Sequence, residues 1–289
     1  MNTPISKEVL KFFAAYIERE LGIVYSDANF FQLESRLHQI AKLMNKKIED
    51  VLVTNYNQIY GDFKKLLLDT ATNNETSFFR DKAMFKSLVK NILPGLCKDK
   101  APGQPIRIWS AACSTGQEPY TLAMALNEEL IKENIPGFQI LGTDFSETAL
   151  NRARSGTYSQ LEVQRGLPAT HLVKYFSQVE DKWKVNSLLQ KNINFQAFNL
   201  LTKWSITGPF DLIFCRNVLI YQKIESRKDI INRLYDYLSP TGFLILGATE
   251  SMMGLSDKFE SVLFEGAAFN RKKSAPEVIG KGATGCKSA

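Results

Sequence analysis

Four short apolar runs leave the second half of this chain few ways to fold: IRIWSAA (106–112), FQILGTDF (138–145), FDLIFCRN (210–217) and GFLILGAT (242–249). Each is nearly continuous in apolar residues rather than alternating, and helix-like segments at 117–134, 146–155 and 223–238 separate them. A strand that is apolar on both sides must be covered on both faces, and a crossover helix returns the chain parallel to the strand before. The pattern predicts an α/β domain with a parallel sheet. KFESVLFEGAAFNRK (258–272) adds two further strand-like pieces. One interval, about 156–197, breaks the alternation. It holds a helix-like piece at 168–176 and then YFSQVEDKWKV, which reads as two strands around Glu180-Asp181, a small antiparallel flap on the larger domain.

Residues 5–70 are helical in pattern. FFQLESRLHQIAKLMNKK places Phe30, Leu33, Leu37, Ile40 and Met44 on one face at three- and four-residue spacing. The other side carries His38, Lys42 and Lys46, with Arg36 and Lys47 close by, and positions 35–48 hold no acid. Charge pattern alone marks a solvated face; the uncompensated field equally suits an acidic helical partner. The organisation expected is a helical domain over 1–70, a connecting segment over 71–100, the α/β domain over 101–272 and a small, polar, disordered tail over 273–289.

Composition excludes several classes. The net charge is +6, but four of those charges lie in 271–289, so the body is nearly neutral and a nucleic-acid partner is not expected. No apolar run approaches the ~20 residues of a membrane span, and MNTPISKEVLKFF lacks a signal-peptide pattern, so a cytoplasmic, non-inserting protein is expected. The four cysteines, Cys97, Cys113, Cys215 and Cys286, form no CxxC pair. With only His38 and His171 beside them, no metal site is expected.

In an open parallel sheet, ligands bind outside the carboxyl ends of the strands. After the first run comes SAACSTGQEPYTLAMAL, which is neither a P-loop nor GxGxxG. It is a turn of small residues, Ala111 to Gly116, that lets a ligand approach the backbone. Glu118 could accept from an ammonium group or simply favour the helix dipole. Asp144 closes the second run where a carboxylate can take both hydroxyls of a ribose, Ser146 being free to cap the next helix. Asn199, after INFQAFNLL, is placed to read an adenine edge. Arg216 and Asn217 close FDLIFCRN, with Tyr221 one turn on. This order suits an adenosyl ligand without phosphates, and S-adenosylmethionine fits, Arg80 being able to pair with its carboxylate. NNETSFFRD (73–81), which holds Arg80, by itself reads as a helix start capped by Asn74 or Thr76.

NNETSFFRD, IWSAACSTGQEPYTLA, GTDFSETALNRARSGTY, FNLL, FDLIFCRNVLIY and GFLILGATES together resemble the chemotaxis receptor methyltransferase (CheR) family, the protein-glutamate O-methyltransferases. The resemblance runs in order to about residue 272. It implies a Rossmann-like, S-adenosylmethionine-dependent domain with an antiparallel β-subdomain, preceded by a small all-helical domain. It implies that Asn74, Thr76, Arg80, Glu118, Asp144, Asn199, Leu200, Arg216 and Asn217 contact the cofactor. Arg80 and Tyr221 are the candidates for positioning the substrate carboxylate. The partner implied is the helical cytoplasmic region of chemoreceptors, met by Arg36, His38, Lys42, Lys46 and Lys47, with the enzyme a monomer. On this reading NNETSFFRD is a segment folded over the cofactor.

Two departures stand out. Gln117 replaces a second Glu, which is expected to be tolerated because Glu118 remains. SQVEDKWKV is short and has no glycine, whereas relatives that tether to a receptor C-terminal pentapeptide carry a longer, glycine-containing turn; independence from that tether is expected. A nucleic-acid methyltransferase would commonly carry Asn/Asp-Pro-Pro-Tyr/Phe where this chain has Arg216-Asn217-Val218-Leu219. A non-catalytic, cofactor-sensing module is disfavoured by intact Arg80, Asp144 and Tyr221.

Overall fold

The computed structural model describes residues 4–98, 100–101, 103–133 and 137–273. Four helices come first: α1 (Lys7–Leu21), α2 (Phe30–Leu43), α3 (Ile48–Asn55) and α4 (Gly61–Ala71). Ser6 caps α1 by accepting the Val9 N–H, and Gly22, in the left-handed conformation, ends it. The α2 stripe does what its spacing predicts: Phe30, Leu33, Leu37 and Ile40 join Phe13, Ile17, Phe63 and Leu67 in one helical core, with Met44 at its margin. The tail beyond Lys273 lies outside the described residues.

After α4 the chain runs extended over 72–77, turns, and enters α5 (Lys82–Ser87), a π-turn (Leu88–Ile92) and α6 (Leu93–Lys98). The α/β domain follows as β1 (Ile106–Ala111), α7 (Gln117–Glu133), β2 (Phe138–Asp144) and α8 (Glu147–Ser155). The inserted part comprises β3 (Thr157–Ser159), α9 (Gln160–Gln164), α10 (Ala169–Tyr175), β4 (Phe176–Val179), β5 (Lys182–Val185) and α11 (Ser187–Gln190). Then come β6 (Ile193–Ala197), β7 (Phe210–Cys215), α12 (Ile224–Tyr237), β8 (Leu238–Leu246), β9 (Phe259–Phe264) and β10 (Ala267–Lys272).

The large sheet has the order β6-β2-β1-β7-β8-β10-β9. Its first five strands are parallel, and β10 and β9 close it antiparallel. The chain travels outward from β1 through β2 to β6, then returns to place β7 on the other side of β1. Strand order therefore reverses beside β1, where such sheets open a crevice. The insertion forms its own antiparallel sheet, β3-β5-β4, with β4 and β5 joined across Glu180 and Asp181. It ends earlier than 197. β6 pairs in parallel with β2 from Ile140↔Ile193 to Asp144↔Ala197, so those residues belong to the main sheet.

Trp109 explains why the parallel strands are so uniformly apolar. It is fully buried on β1, edge-on to Trp204 at 5.2 Å and Phe198 at 5.6 Å. Its Nε1–H donates to Thr143 Oγ1 at 2.9 Å, satisfying the one polar atom it brings inside.

Candidate functional site

The carboxyl ends of β1, β2 and β7 open into a cleft of about 1040 Å³, its open mouth included. The loop after β1 forms its floor. Ala112 and Ser114 have φ of 60° and 51°, a region where Cβ crowds the backbone and where residues other than glycine stay only when neighbours hold them. Here they are held. The Cys113 N–H donates to the Thr143 carbonyl at 2.8 Å, the Ser114 N–H to Asp144 Oδ2 at 2.8 Å, and the Ser114 hydroxyl to the Asn74 carbonyl at 2.8 Å.

Asp144 ends β2 buried, and its Oδ1 accepts the Ser146 N–H at 2.9 Å. Burial pushes its carboxyl above the usual carboxylate range, against the lowering effect of the Ser146 and Ser114 donors. A desolvated acid facing a cleft gains most from hydroxyls that replace lost water. As its residue type predicts, Ser146 caps α8, accepting the Ala149 N–H at 3.0 Å. Its own hydroxyl donates to Asp69 of α4, so the helical domain reaches the acid's neighbourhood.

Residues 72–81 cross over this floor. No helix starts at Asn74 or Thr76; the first helical residue is Lys82. Tertiary contacts override the local cap signal. Phe78 is fully buried, edge-on to Tyr158 at 5.0 Å and Phe176 at 5.6 Å, which fastens the segment beneath the inserted sheet. The Phe79 N–H donates to Thr121 Oγ1 at 3.1 Å. Arg80 Nη1 donates to the Glu75 carbonyl at 3.3 Å and otherwise faces the cleft.

Arg216 leaves β7 with its side chain 3% exposed. Its Nη1 donates to Glu118 Oε2 at 2.7 Å, and its Nη2 donates to the Arg80 carbonyl at 3.1 Å and to Asp81. Glu118 Oε1 accepts the Ser110 hydroxyl at 2.7 Å. Arg216 thus lines the cleft while joining α7 to the crossing segment, and its Nε is buried without a partner. Asn217 has φ of 59°. Glu250 holds it there: Oε2 accepts the Asn217 N–H at 2.7 Å and the Gly247 N–H at 2.8 Å, and Oε1 accepts the Ile220 N–H at 3.2 Å.

The helical domain supplies a third wall through Leu21 and Ile23, opposite Phe145, Phe198 and Leu200. Gln222 Nε2 donates to the Leu21 carbonyl at 2.9 Å, and Ile23 forms a β-bridge with Gln222. Gly22 permits that approach: φ is +69°, and a Cβ would stand 1.9 Å from Gln222 Oε1. Asn199 has partners that its expected adenine contact did not foresee. Its Nδ2 donates to the Glu20 carbonyl at 2.9 Å and its Oδ1 accepts the Leu201 N–H at 2.9 Å, leaving one N–H and one lone pair.

Each cofactor and catalytic candidate, from Asn74 to Tyr221, lines this one cleft. The docking candidates do not line the cleft; they sit on α2 and the loop after it, and they divide. Lys42, Lys46 and Lys47 are exposed. Arg36 is half-buried, donating to the Ala71 carbonyl at 2.7 Å with its guanidinium 5.5 Å from the Tyr25 ring centroid, and desolvation lowers its pKa. His38 is also half-buried, its Nε2 without a partner. The cause is helical phase: Arg36 lies three residues after Leu33, and His38 three before the buried Ala41.

Several residues at the site carried no strong sequence signal. Glu250 follows the last parallel strand and the strand-end rule could have reached it. Phe145 and Phe198 adjoin flagged residues. Asn73, whose Nδ2 donates to the Tyr221 hydroxyl at 2.7 Å, and Leu21, Ile23 and Gln222 depend on contacts across 148 to 201 positions of chain.

The site fits an adenosyl ligand: a buried acid at a strand end, the apolar side chains Leu21, Ile23, Phe145, Phe198 and Leu200, and the charged Arg80, Glu118 and Arg216 line one cleft. Residues 74–266 match the family model described as CheR methyltransferase, SAM binding domain. Chemotaxis protein methyltransferase 1 of Pseudomonas aeruginosa is 38% identical over 255 residues, covering 86% of this chain and 92% of the relative. Chemotaxis protein methyltransferase 1 of Vibrio cholerae is 37% identical over 265 residues, covering 89% and 94%. The chemotaxis protein methyltransferase of Borreliella burgdorferi is 34% identical over 261 residues, covering 88% and 92%. No described helix is long and apolar enough to cross a membrane. With S-adenosylmethionine as its methyl donor, this chain belongs to the CheR methyltransferase family.

Proposed function

We propose that this methyltransferase esterifies glutamate side chains on the helical cytoplasmic region of chemoreceptors, releasing S-adenosylhomocysteine, and that it does so as a cytoplasmic monomer. The observation that carries the reading is that Arg80 and Tyr221 both line the cofactor cleft, two donors suited to an incoming carboxylate. A glutamate, with an ordinary pKa of about 4.3, is already ionised at neutral pH and needs no base. The bound cofactor supplies an electrophilic methyl on a sulfonium.

The protein's residues then orient and desolvate. Asp144 accepts the ribose hydroxyls. Leu200 and the amide of Asn199 flank the base, and Asn217 shapes the turn beside it. Glu118, held by Ser110 and Arg216, and the crossing segment with Asn74, Thr76 and Arg80 bracket the amino-acid end. Arg80 and Tyr221 align the substrate oxygen behind the methyl. Alignment of this kind can contribute roughly 7–11 kcal/mol to lowering a barrier.

Lys42, Lys46 and Lys47 suit the acidic face of a receptor helix, with Arg36 and His38 shaping the same end of α2. The two-residue connection between β4 and β5, where Val179 pairs with Lys182, supports methylation that does not depend on a receptor C-terminal pentapeptide. The test is to incubate the protein with S-adenosyl-[methyl-3H]methionine and receptor-containing membranes, then treat the receptor band with alkali. Volatile methanol is expected; alkali-stable label would defeat the proposal. Receptors trimmed of their last residues should be methylated equally well.

A further inference from the structure

We propose that Asn73 is a positioning residue that fixes the direction of the hydrogen bond at Tyr221, so that the phenolic proton is left to an acceptor in the cleft. The inference rests on the glutamate reading above. Asn73 Oδ1 accepts the Glu75 N–H at 3.4 Å. A backbone N–H can only donate, so this long contact favours the assigned orientation, with the amide oxygen toward Glu75. The other end, Nδ2, meets the Tyr221 hydroxyl at 2.7 Å. An amide nitrogen donates and never accepts, so the tyrosine oxygen is the acceptor and its single proton must point elsewhere. Both residues line the cleft.

The surroundings hold this polarity in place. The Tyr221 carbonyl accepts the Val24 N–H at 3.1 Å, which pins the residue against the helical domain. Asn73 belongs to the segment that Phe78 anchors and that Ser114 grips at the next residue through the Asn74 carbonyl. A carboxylate entering the cleft can only accept. A tyrosine whose proton was taken by a neighbour would meet it oxygen to oxygen; one that accepts from Asn73 meets it with a donor, polarised by the bond it already receives.

Methyl transfer to receptor-containing membranes, compared across Asn73→Ala, Asn73→Asp and Tyr221→Phe, tests this. Asn73→Ala removes the donor. Asn73→Asp keeps the shape but puts an acceptor in its place, which takes the phenolic proton. Expected losses in kcat are about threefold for Asn73→Ala and about tenfold for Asn73→Asp, the size of one exchanged hydrogen bond, with S-adenosylhomocysteine affinity unchanged by calorimetry. As pH falls from about 8 to about 4, close to the ordinary aspartate pKa of about 3.9, about half of the aspartic side chains gain a proton to donate, so the ratio of Asn73→Asp to Asn73→Ala activity should rise. In a Tyr221→Phe background the two substitutions should become equivalent. A flat ratio, or an Asn73→Asp deficit that persists without the hydroxyl and so reflects charge repulsion, overturns the inference. A wild-type protein that leaves no base-labile methyl on the receptor overturns the glutamate reading and takes this inference with it.

Discussion

At the closed end of the cleft Asp144 receives backbone N–H groups from Ser114 and Ser146 on its two oxygens; at the mouth Tyr221 receives one side-chain amide from the exposed Asn73. The first arrangement is fixed by strand ends and a helix cap. The second depends on a crossing segment and on a turn capped by Glu250. Backbone donors cannot swing away, whereas a side-chain amide on an extended segment can. On the proposed function, the closed end would be a preformed receptor for the nucleoside, and the mouth an adjustable frame that the substrate helps to complete. Arg216 stands between them and ties Glu118 to Arg80 and Asp81.

The hardest blow to this division is Arg216→Ala. It leaves Glu118, its side chain only 13% exposed, beside Ser110 with its cation gone, and breaking a largely buried pair in this way costs about 3–5 kcal/mol. Thermal unfolding should drop by about 10 °C. A shift under a couple of degrees would mean the two ends are not joined through this guanidinium. Next in size is Asp144→Ala, which removes an ionic acceptor for two hydroxyls, about 3 kcal/mol or about a hundredfold in S-adenosylhomocysteine affinity by calorimetry. Undiminished binding would show that the closed end is not the ribose site.

Acid titration sharpens the same point. The ionised form of Asp144 is the better acceptor, and burial sets its pKa above the usual carboxylate range. Affinity should be level at high pH and fall by up to about tenfold per unit as pH drops through that raised value, earlier than an ordinary aspartate would give. Asp144→Asn should bind weakly at every pH and lose the slope. A smaller effect than that of Asp144→Ala is expected outside the cleft. Reversing Lys42 and Lys46 to Glu should weaken receptor methylation about tenfold, more at low salt, with cofactor affinity intact. Equal loss of both would remove these lysines from docking.

The strand ends were legible because composition and position agree there. A fully buried parallel strand admits a charge inside it only with partners, as Asp211 on β7 shows with Lys100 and the Arg107 N–H, so Asp144 and Arg216 announce themselves as the charged residues that close apolar runs. The α2 core stripe was legible through its period. What sequence pattern could not assign were contacts made at a distance. Asn74 and Thr76 look like caps until Phe78 is seen locked between Tyr158 and Phe176. Arg36 looks like a surface cation until its bond to the Ala71 carbonyl is known. Asn199 looks free to read a base until Glu20 is found accepting from it. In each case a side chain suited to two tasks was given one of them by a segment far away in the chain.

The bridge between Ile23 and Gln222, with Asn199 reaching the carbonyl of Glu20, has a consequence for exchange between relatives. On the proposed function, the part that would meet the receptor also closes one side of the cleft. A chimera that borrowed only another relative's first four helices would inherit a foreign edge on its cofactor pocket, so new receptor preferences cannot be grafted without retuning how tightly the methyl donor is held.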